Sequence, residues 1–196
     1  MKQLRDTGRA IRTHAHAHAA ARRAARRLPL RWRGPAARAQ ARTGVDADLV
    51  LAVMAVENGE RGRVVRAAEY AYALGLNAVG RRDAAEWVSV GPAQVQLRHL
   101  GPAEPLARRM VRLATPDGAA TACAAVIARE CEALGIDPSS PDAWARGDWD
   151  AIGRAYSGPL ATRFGEAVRM VWCGLRPQPV TALPDVQRTA AGVLVS

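Results

Sequence analysis

The chain has 196 residues, of which 49% are hydrophobic and 5% aromatic, and its formal net charge is +10. This length suits one domain of ordinary size with tails. No run of about 18 apolar residues occurs, so the sequence predicts no membrane-spanning segment. Its alanine, valine and leucine content favours packed helices over sheets, and the predicted fold class is therefore mostly α, with a single domain.

The positive charge is concentrated at the N-terminus. Residues 1–44 contain twelve basic side chains and one acid, Asp6, whereas residues 45–196 carry a net charge of −1. The sequence thus predicts an Arg/Ala-rich basic extension, helical from Arg9 to Arg27, rather than a basic domain that binds nucleic acid. Two interpretations stay open: a solvated tail, or an anchor to anionic surfaces such as membrane lipid or nucleic acid.

The N-terminal region carries no targeting or metal-binding signal that stands out. It lacks the apolar stretch of a signal peptide, so the sequence shows no export route. His14, His16 and His18 alternate with alanine, a pattern more typical of low complexity than of a metal site. We therefore predict no cofactor and no metal.

Three cysteines occur, Cys123, Cys131 and Cys173, without metal-ligand spacing. Cys123 and Cys131 lie about 12 Å apart along one predicted helix, which is too far for a disulfide between them. All three are therefore expected to be buried small hydrophobic residues.

The predicted domain spans residues 45–176, beginning near Thr43 to Asp46, and a tail follows at 177–196. Asp46 is suited to cap the first helix, and Asp48 lies in its first turn, where negative charge is favoured. The apolar residues that follow cover most of the helix circumference, which predicts a buried helix ending at Asn58-Gly59.

The remaining elements are also predicted to be helical, apart from a polar and then tightly turning stretch at 81–96. Gly75, Asn77 and Gly80 are expected to end the second helix, and Gly135 the fourth. Phe164, Val168, Val171 and Trp172 are the inward candidates of the last helix. The predicted helices cover 64–76, 104–113, 118–134 and 162–173, with short helical pieces at 142–145 and 152–156.

Glu57 is the first candidate for chemistry. It lies in the last turn of the buried helix, where desolvation and the negative end of the helix dipole both oppose its charge. We expect these two effects to raise its pKa, so that the carboxyl group can donate a proton near neutral pH. Asn58 follows it as a candidate substrate ligand.

The second candidate segment runs from Ser89 to Gln96. Gly91 precedes a proline and predicts a tight turn at which a ligand can approach the backbone. Gln94 and Gln96 offer neutral hydrogen-bonding groups of the kind that suit sugar hydroxyl and acetamido groups. We therefore expect Ser89, Gly91, Gln94 and Gln96 to bind substrate.

The third feature is Tyr156-Ser157, an aromatic residue with a polar tip beside a small polar residue. Together with Glu57 and the Ser89-x-Gly91-x-x-Gln94 stretch, it resembles the pattern of soluble lytic transglycosylases and goose-type lysozymes. Asn58 stands where that family has serine after the glutamate, and Ser157 stands where asparagine is usual. The resemblance covers roughly residues 45–175 and implies a lysozyme-like domain.

The resemblance implies cleavage of peptidoglycan between N-acetylmuramic acid and N-acetylglucosamine, with Glu57 as acid and base and Tyr156 and Ser157 beside the substrate. The implied site of action is the cell envelope, periplasm or extracellular space. Glu69 and Glu86 are candidates for a second carboxylate if water is the nucleophile. The alternative is a non-catalytic module of a secretion apparatus or virus particle that keeps the fold and glycan groove. No stable protein partner is predicted.

Overall fold

The computed structural model describes residues 30–60, 63–157 and 164–176. Most of these residues are helical, which confirms the mostly α prediction. The one sheet in the described part is a hairpin of β1 (Ser89–Val90) and β2 (Val95–Gln96). The helices are α1 (Arg33–Thr43), α2 (Ala47–Glu60), α3 (Arg63–Ala78), α4 (Arg82–Glu86), α5 (Leu106–Ala114), α6 (Pro116–Leu134), α7 (Arg146–Ser157) and α8 (Phe164–Leu175), joined in places by short 3-10 turns.

Helix α2 is the centre of the fold. Every side chain from Leu49 to Val56 is at most 3% exposed, as predicted for a helix that is apolar all round. It packs against α1, α6 and α8. The predicted end at Asn58-Gly59 is wrong, because neither residue takes a left-handed conformation and the helix continues to Glu60.

Asp46 fixes the beginning of α2, as predicted. Its Oδ1 accepts a hydrogen bond from the Leu49 N–H at 2.8 Å, which caps the helix. The same oxygen accepts from Trp172 Nε1 at 2.9 Å, and Arg176 Nη2 lies 3.1 Å from Oδ2. Asp46 therefore joins the start of α2 to the end of α8.

The predicted boundary at residue 44 is wrong, because residues 30–44 belong to the folded body. Trp32, just before α1, is 3% exposed. Ala36 and Ala39 on α1 are fully buried, and this helix packs extensively against α6. Pro35 lies in the first turn of α1, where its missing N–H is tolerated. The predicted helix from Arg9 to Arg27, the histidines and the tail at 177–196 lie outside the described residues.

The other helices agree with the sequence in kind and differ in extent. Helix α3 passes through Gly75 and Asn77, which were expected to end it, and Gly80 follows with a left-handed φ of 77°. Gly135 does end α6 in the left-handed conformation. All four predicted inward residues of α8 are buried. Helix α7 is a full helix of 12 residues where only a short piece was predicted.

The cysteine prediction holds for two of the three residues. Cys123 and Cys131 are buried, whereas Cys173 is exposed on α8, and all three thiols are free. In the ranges described, no three His, Cys, Asp or Glu side chains cluster in a way that could hold a metal ion. Within the same ranges, none of the helices has the length and apolar character needed to cross a bilayer.

Candidate functional site

The Ser89–Gln96 segment folds as a tight antiparallel hairpin. Ser89 pairs with Gln96 and Val90 with Val95. The turn between them is closed by the Gln94 N–H, which donates to the Gly91 carbonyl at 3.2 Å. Both ends of this turn have positive φ, 81° at Gly91 and 50° at Gln94. The predicted tight turn at Gly91 is thus present.

The predicted reason for Gly91 is wrong. A Cβ added at this position would lie 2.2 Å from the Leu113 carbonyl oxygen and 3.0 Å from its carbon. The space beside Gly91 is therefore filled by the backbone of α5, and not left for a ligand. Glycine is needed here so that the turn can pack against that helix.

Glu57 lies in the last turn of α2, as predicted, and is only 7% exposed. Ser157, an exposed residue at the end of α7, donates a hydrogen bond from its Oγ to Glu57 Oε1 at 3.2 Å. This contact joins residues 100 positions apart in the chain. It brings the first and third predicted motifs together at the boundary between core and surface.

Tyr156 joins the third motif to the hairpin. Its hydroxyl donates to the Ala93 carbonyl oxygen at 2.5 Å, and its ring stacks on Phe164 with centroids 5.7 Å apart. Burial raises the pKa of Tyr156 well above its usual value, and the neighbouring Cys123 and Glu57 add to this. The phenol therefore remains a neutral hydrogen-bond donor in the site.

Gln94 is a buried residue of the turn, 5% exposed. Its Nε2 donates to Glu69 Oε2 on α3 at 2.9 Å and to the Gly91 carbonyl at 3.1 Å. Both N–H groups of the amide are therefore used within the protein. Gln94 thus has a structural role in the turn, and its predicted role as a sugar ligand stays a prediction.

The other three predicted ligands are held by contacts within the protein. Asn58 is half-buried, and its Oδ1 accepts a hydrogen bond from Arg66 Nη1, which ties α2 to α3. Ser89 and Gln96 are half-buried cross-strand partners in the hairpin, and Gln96 Oε1 accepts from Arg98 Nε at 2.8 Å.

The two candidate second carboxylates have different surroundings. Glu69 contacts Gln94 in the site, whereas Glu86 forms a bidentate ion pair with Arg109, both contacts at 2.5 Å. Arg109 is 4% exposed and also donates to the Leu97 carbonyl at 3.0 Å. Glu86 therefore neutralises a buried cation and is not available as a catalytic base.

A cavity of about 680 Å³ lies on the Arg109 side of the molecule. Glu86, Arg82 and Arg98 line it, whereas Glu57 and the predicted substrate-binding residues do not. Its lining carries both signs of charge, which does not favour one class of ligand. We do not assign it to the candidate site.

Two features beside the site were missed by the sequence reasoning. Cys123 on α6 contacts Tyr156, and burial raises the pKa of its thiol to about 12, so it acts as a neutral packing partner. Trp87 is 60% exposed just before the hairpin, with the Arg98 guanidinium 3.8 Å from its ring centroid. The sequence did contain a signal for this second feature, because a tryptophan stands directly before Val88-Ser89.

Comparison with known proteins finds no relative of this chain. No protein-family model, curated protein or solved structure matches the chain. Function must therefore be argued from the site itself.

Proposed function

We propose that this protein is a peptidoglycan-cleaving glycosidase of the lytic transglycosylase or lysozyme type, with a lysozyme-like helical domain and Glu57 as its acid and base. One observation carries the proposal: contacts join three sequence motifs that are far apart in the chain, and one of these contacts is made to a buried carboxyl group. Ser157 contacts Glu57, and its neighbour Tyr156 contacts the hairpin turn at Ala93.

The surroundings of Glu57 suit proton transfer at the boundary between core and solvent. The carboxyl group is held at the end of a rigid, fully packed helix, so its position is defined before substrate arrives. Its contact with the exposed Ser157 places it where the core meets solvent. A glycosidic oxygen bound there would meet a fixed proton donor.

The proposed reaction needs a single carboxylate. Glu57 donates its proton to the oxygen between N-acetylmuramic acid and N-acetylglucosamine, and the bond from that oxygen to the muramic C1 breaks. The acetamido group of the substrate stabilises the cationic C1. Glu57, now ionised, removes the proton from the muramic 6-hydroxyl as that oxygen attacks C1, giving the 1,6-anhydro product. If water attacks instead, the product has a reducing end.

The test is digestion of purified peptidoglycan with the full chain, followed by mass analysis of the fragments. We expect cleavage at the muramic C1, and we expect Glu57→Gln to abolish it because the amide is too weak an acid to protonate the glycosidic oxygen. Glu132→Gln on the exposed surface of α6 is the matched control and should cleave like the parent. Circular dichroism and melting of both variants check the fold.

The outcomes separate the proposal from its rival. Cleavage by Glu57→Gln would move the acid elsewhere. Absence of cleavage by the parent, with retained binding to peptidoglycan, would assign the chain to a non-catalytic glycan-binding module.

We also propose that the protein acts in the cell envelope or outside the cell, and that basic residues before Leu30 attach it to anionic surfaces.

A further inference from the structure

We propose that Glu69 is a positioning residue for the catalytic acid, acting through Gln94, and not a second catalytic carboxylate. This inference rests on the proposed function of Glu57. Of the two candidate second carboxylates, Glu69 is the one that contacts a predicted site residue, and the inference gives it a positioning role.

A continuous series of contacts leads from Glu69 to Glu57. Glu69 Oε2 accepts a hydrogen bond from Gln94 Nε2 at 2.9 Å. The neighbouring Ala93 carbonyl accepts from the Tyr156 hydroxyl at 2.5 Å. Ser157, the next residue, donates to Glu57 Oε1 at 3.2 Å. The position of the turn thus determines the position of the α7 end that contacts the acid.

The turn depends on Glu69 because Gln94 is held in an unfavourable state. Its φ of 50° lies in the left-handed region, which residues other than glycine rarely adopt. Its Oε1 is buried and has no hydrogen-bond partner among the described residues. Both features cost free energy, and the charge-assisted bond to the Glu69 carboxylate offsets part of that cost.

The same contacts define which groups at position 69 can work. The Gln94 amide nitrogen faces two acceptors, Glu69 Oε2 and the Gly91 carbonyl, so its orientation is fixed by the network. Position 69 must therefore supply an acceptor, and charge is secondary. Glutamine keeps an acceptor oxygen there, whereas methionine has a similar length and lacks one.

The experiment compares Glu69→Gln and Glu69→Met, with Glu132→Met as the matched control on an exposed part of α6. For peptidoglycan cleavage we expect Glu69→Gln to stay within about threefold of the parent, because the acceptor is retained. Glu69→Met should lower kcat about tenfold, the effect of one buried hydrogen bond, with KM nearly unchanged. Melting temperatures check folding, and Glu69→Ala repeats the measurement if Glu69→Met does not fold.

A double-mutant cycle tests the route. If Glu69 acts through Gln94, adding Glu69→Met to Gln94→Leu should lower kcat no further. A second full loss in that background would overturn the inference, and so would a Glu69→Met variant with the parent's kcat. Inactivity of Glu69→Gln equal to that of Glu57→Gln would instead make Glu69 a second catalytic carboxylate.

A measurement without turnover separates this inference from the proposed function. In the parent and in Glu69→Gln, the side-chain amide protons of Gln94 should exchange slowly with solvent, as followed by NMR. In Glu69→Met that exchange should accelerate at least about tenfold, because one of the two acceptors is lost. Equal exchange in all three proteins overturns the inference. Absence of cleavage by the parent, with this exchange pattern intact, defeats only the proposed function.

Discussion

Replacing Gly91 with alanine tests whether this residue serves packing or ligand approach. The added methyl carbon would lie 2.2 Å from the Leu113 carbonyl oxygen, on a backbone with φ of 81°. A non-glycine residue in the left-handed region costs about 1–2 kcal/mol. Crowding against a packed backbone adds about 1–3 kcal/mol. We therefore expect Gly91→Ala to lose about 2–5 kcal/mol of the free energy of unfolding.

Gly80 provides the matched control for this substitution. Its φ of 77° is nearly the same, and a Cβ added there would meet no atom within 4 Å. Gly80→Ala should therefore show only the backbone cost of about 1–2 kcal/mol. The difference between the two variants isolates the crowding against Leu113.

The assay is thermal and denaturant unfolding followed by circular dichroism, together with peptidoglycan cleavage below the melting temperature. For a chain of this length, Gly91→Ala should lower the Tm by about 4–20 °C. A Gly91→Ala protein as stable as Gly80→Ala would refute the packing argument. If that protein also showed a raised KM, the space beside Gly91 would belong to a ligand.

Two further predictions concern the thiols and the boundary of the fold. In the native protein a neutral thiol reagent should modify Cys173 alone, and Cys123 and Cys131 only after unfolding, because both are buried and their pKa values are raised to about 12. Native reaction of all three would contradict this packing. Removal of residues 1–29 should leave the melting temperature nearly unchanged and weaken attachment to anionic vesicles in a salt-dependent way. Removal of residues 1–44 should unfold the protein because α1 contributes to the core, and equal melting of the two truncations would restore the predicted boundary at residue 44.

The sequence predicts the fold best where one short stretch decides the outcome. The apolar run from Leu49 to Val56 indicates a buried helix, and Asp46 indicates its start, so α2 is predicted nearly in full. Helix α1 was missed because its eleven residues are mainly alanine and arginine and include no large apolar side chain. Its buried face consists of small residues such as Ala36 and Ala39, which carry little hydrophobic signal in a segment of low amphipathicity.

The sequence also predicts the site best where neighbouring residues decide the outcome, and less well where distant helices do. The sequence indicates that Glu57, the hairpin turn and Tyr156-Ser157 belong together, and their meeting in space agrees with that expectation. The detailed partners could not be derived, because they depend on tertiary packing. The Leu113 carbonyl beside Gly91 and the Glu69 acceptor for Gln94 are both contributed by helices whose relative placement no local pattern encodes.

The bonds that Asp46 makes to Trp172 and Arg176 have a consequence for how the protein can vary. Glu57 lies eleven residues further along the same helix, about 16 Å away at the usual helical rise. A substitution at the start of α2 is therefore too distant to contact the Glu57 carboxyl group. It can move that group only by shifting the whole helix. Sequence drift near Asp46 offers a way to adjust the placement of the proposed acid by fractions of an ångström without altering any of the proposed substrate contacts.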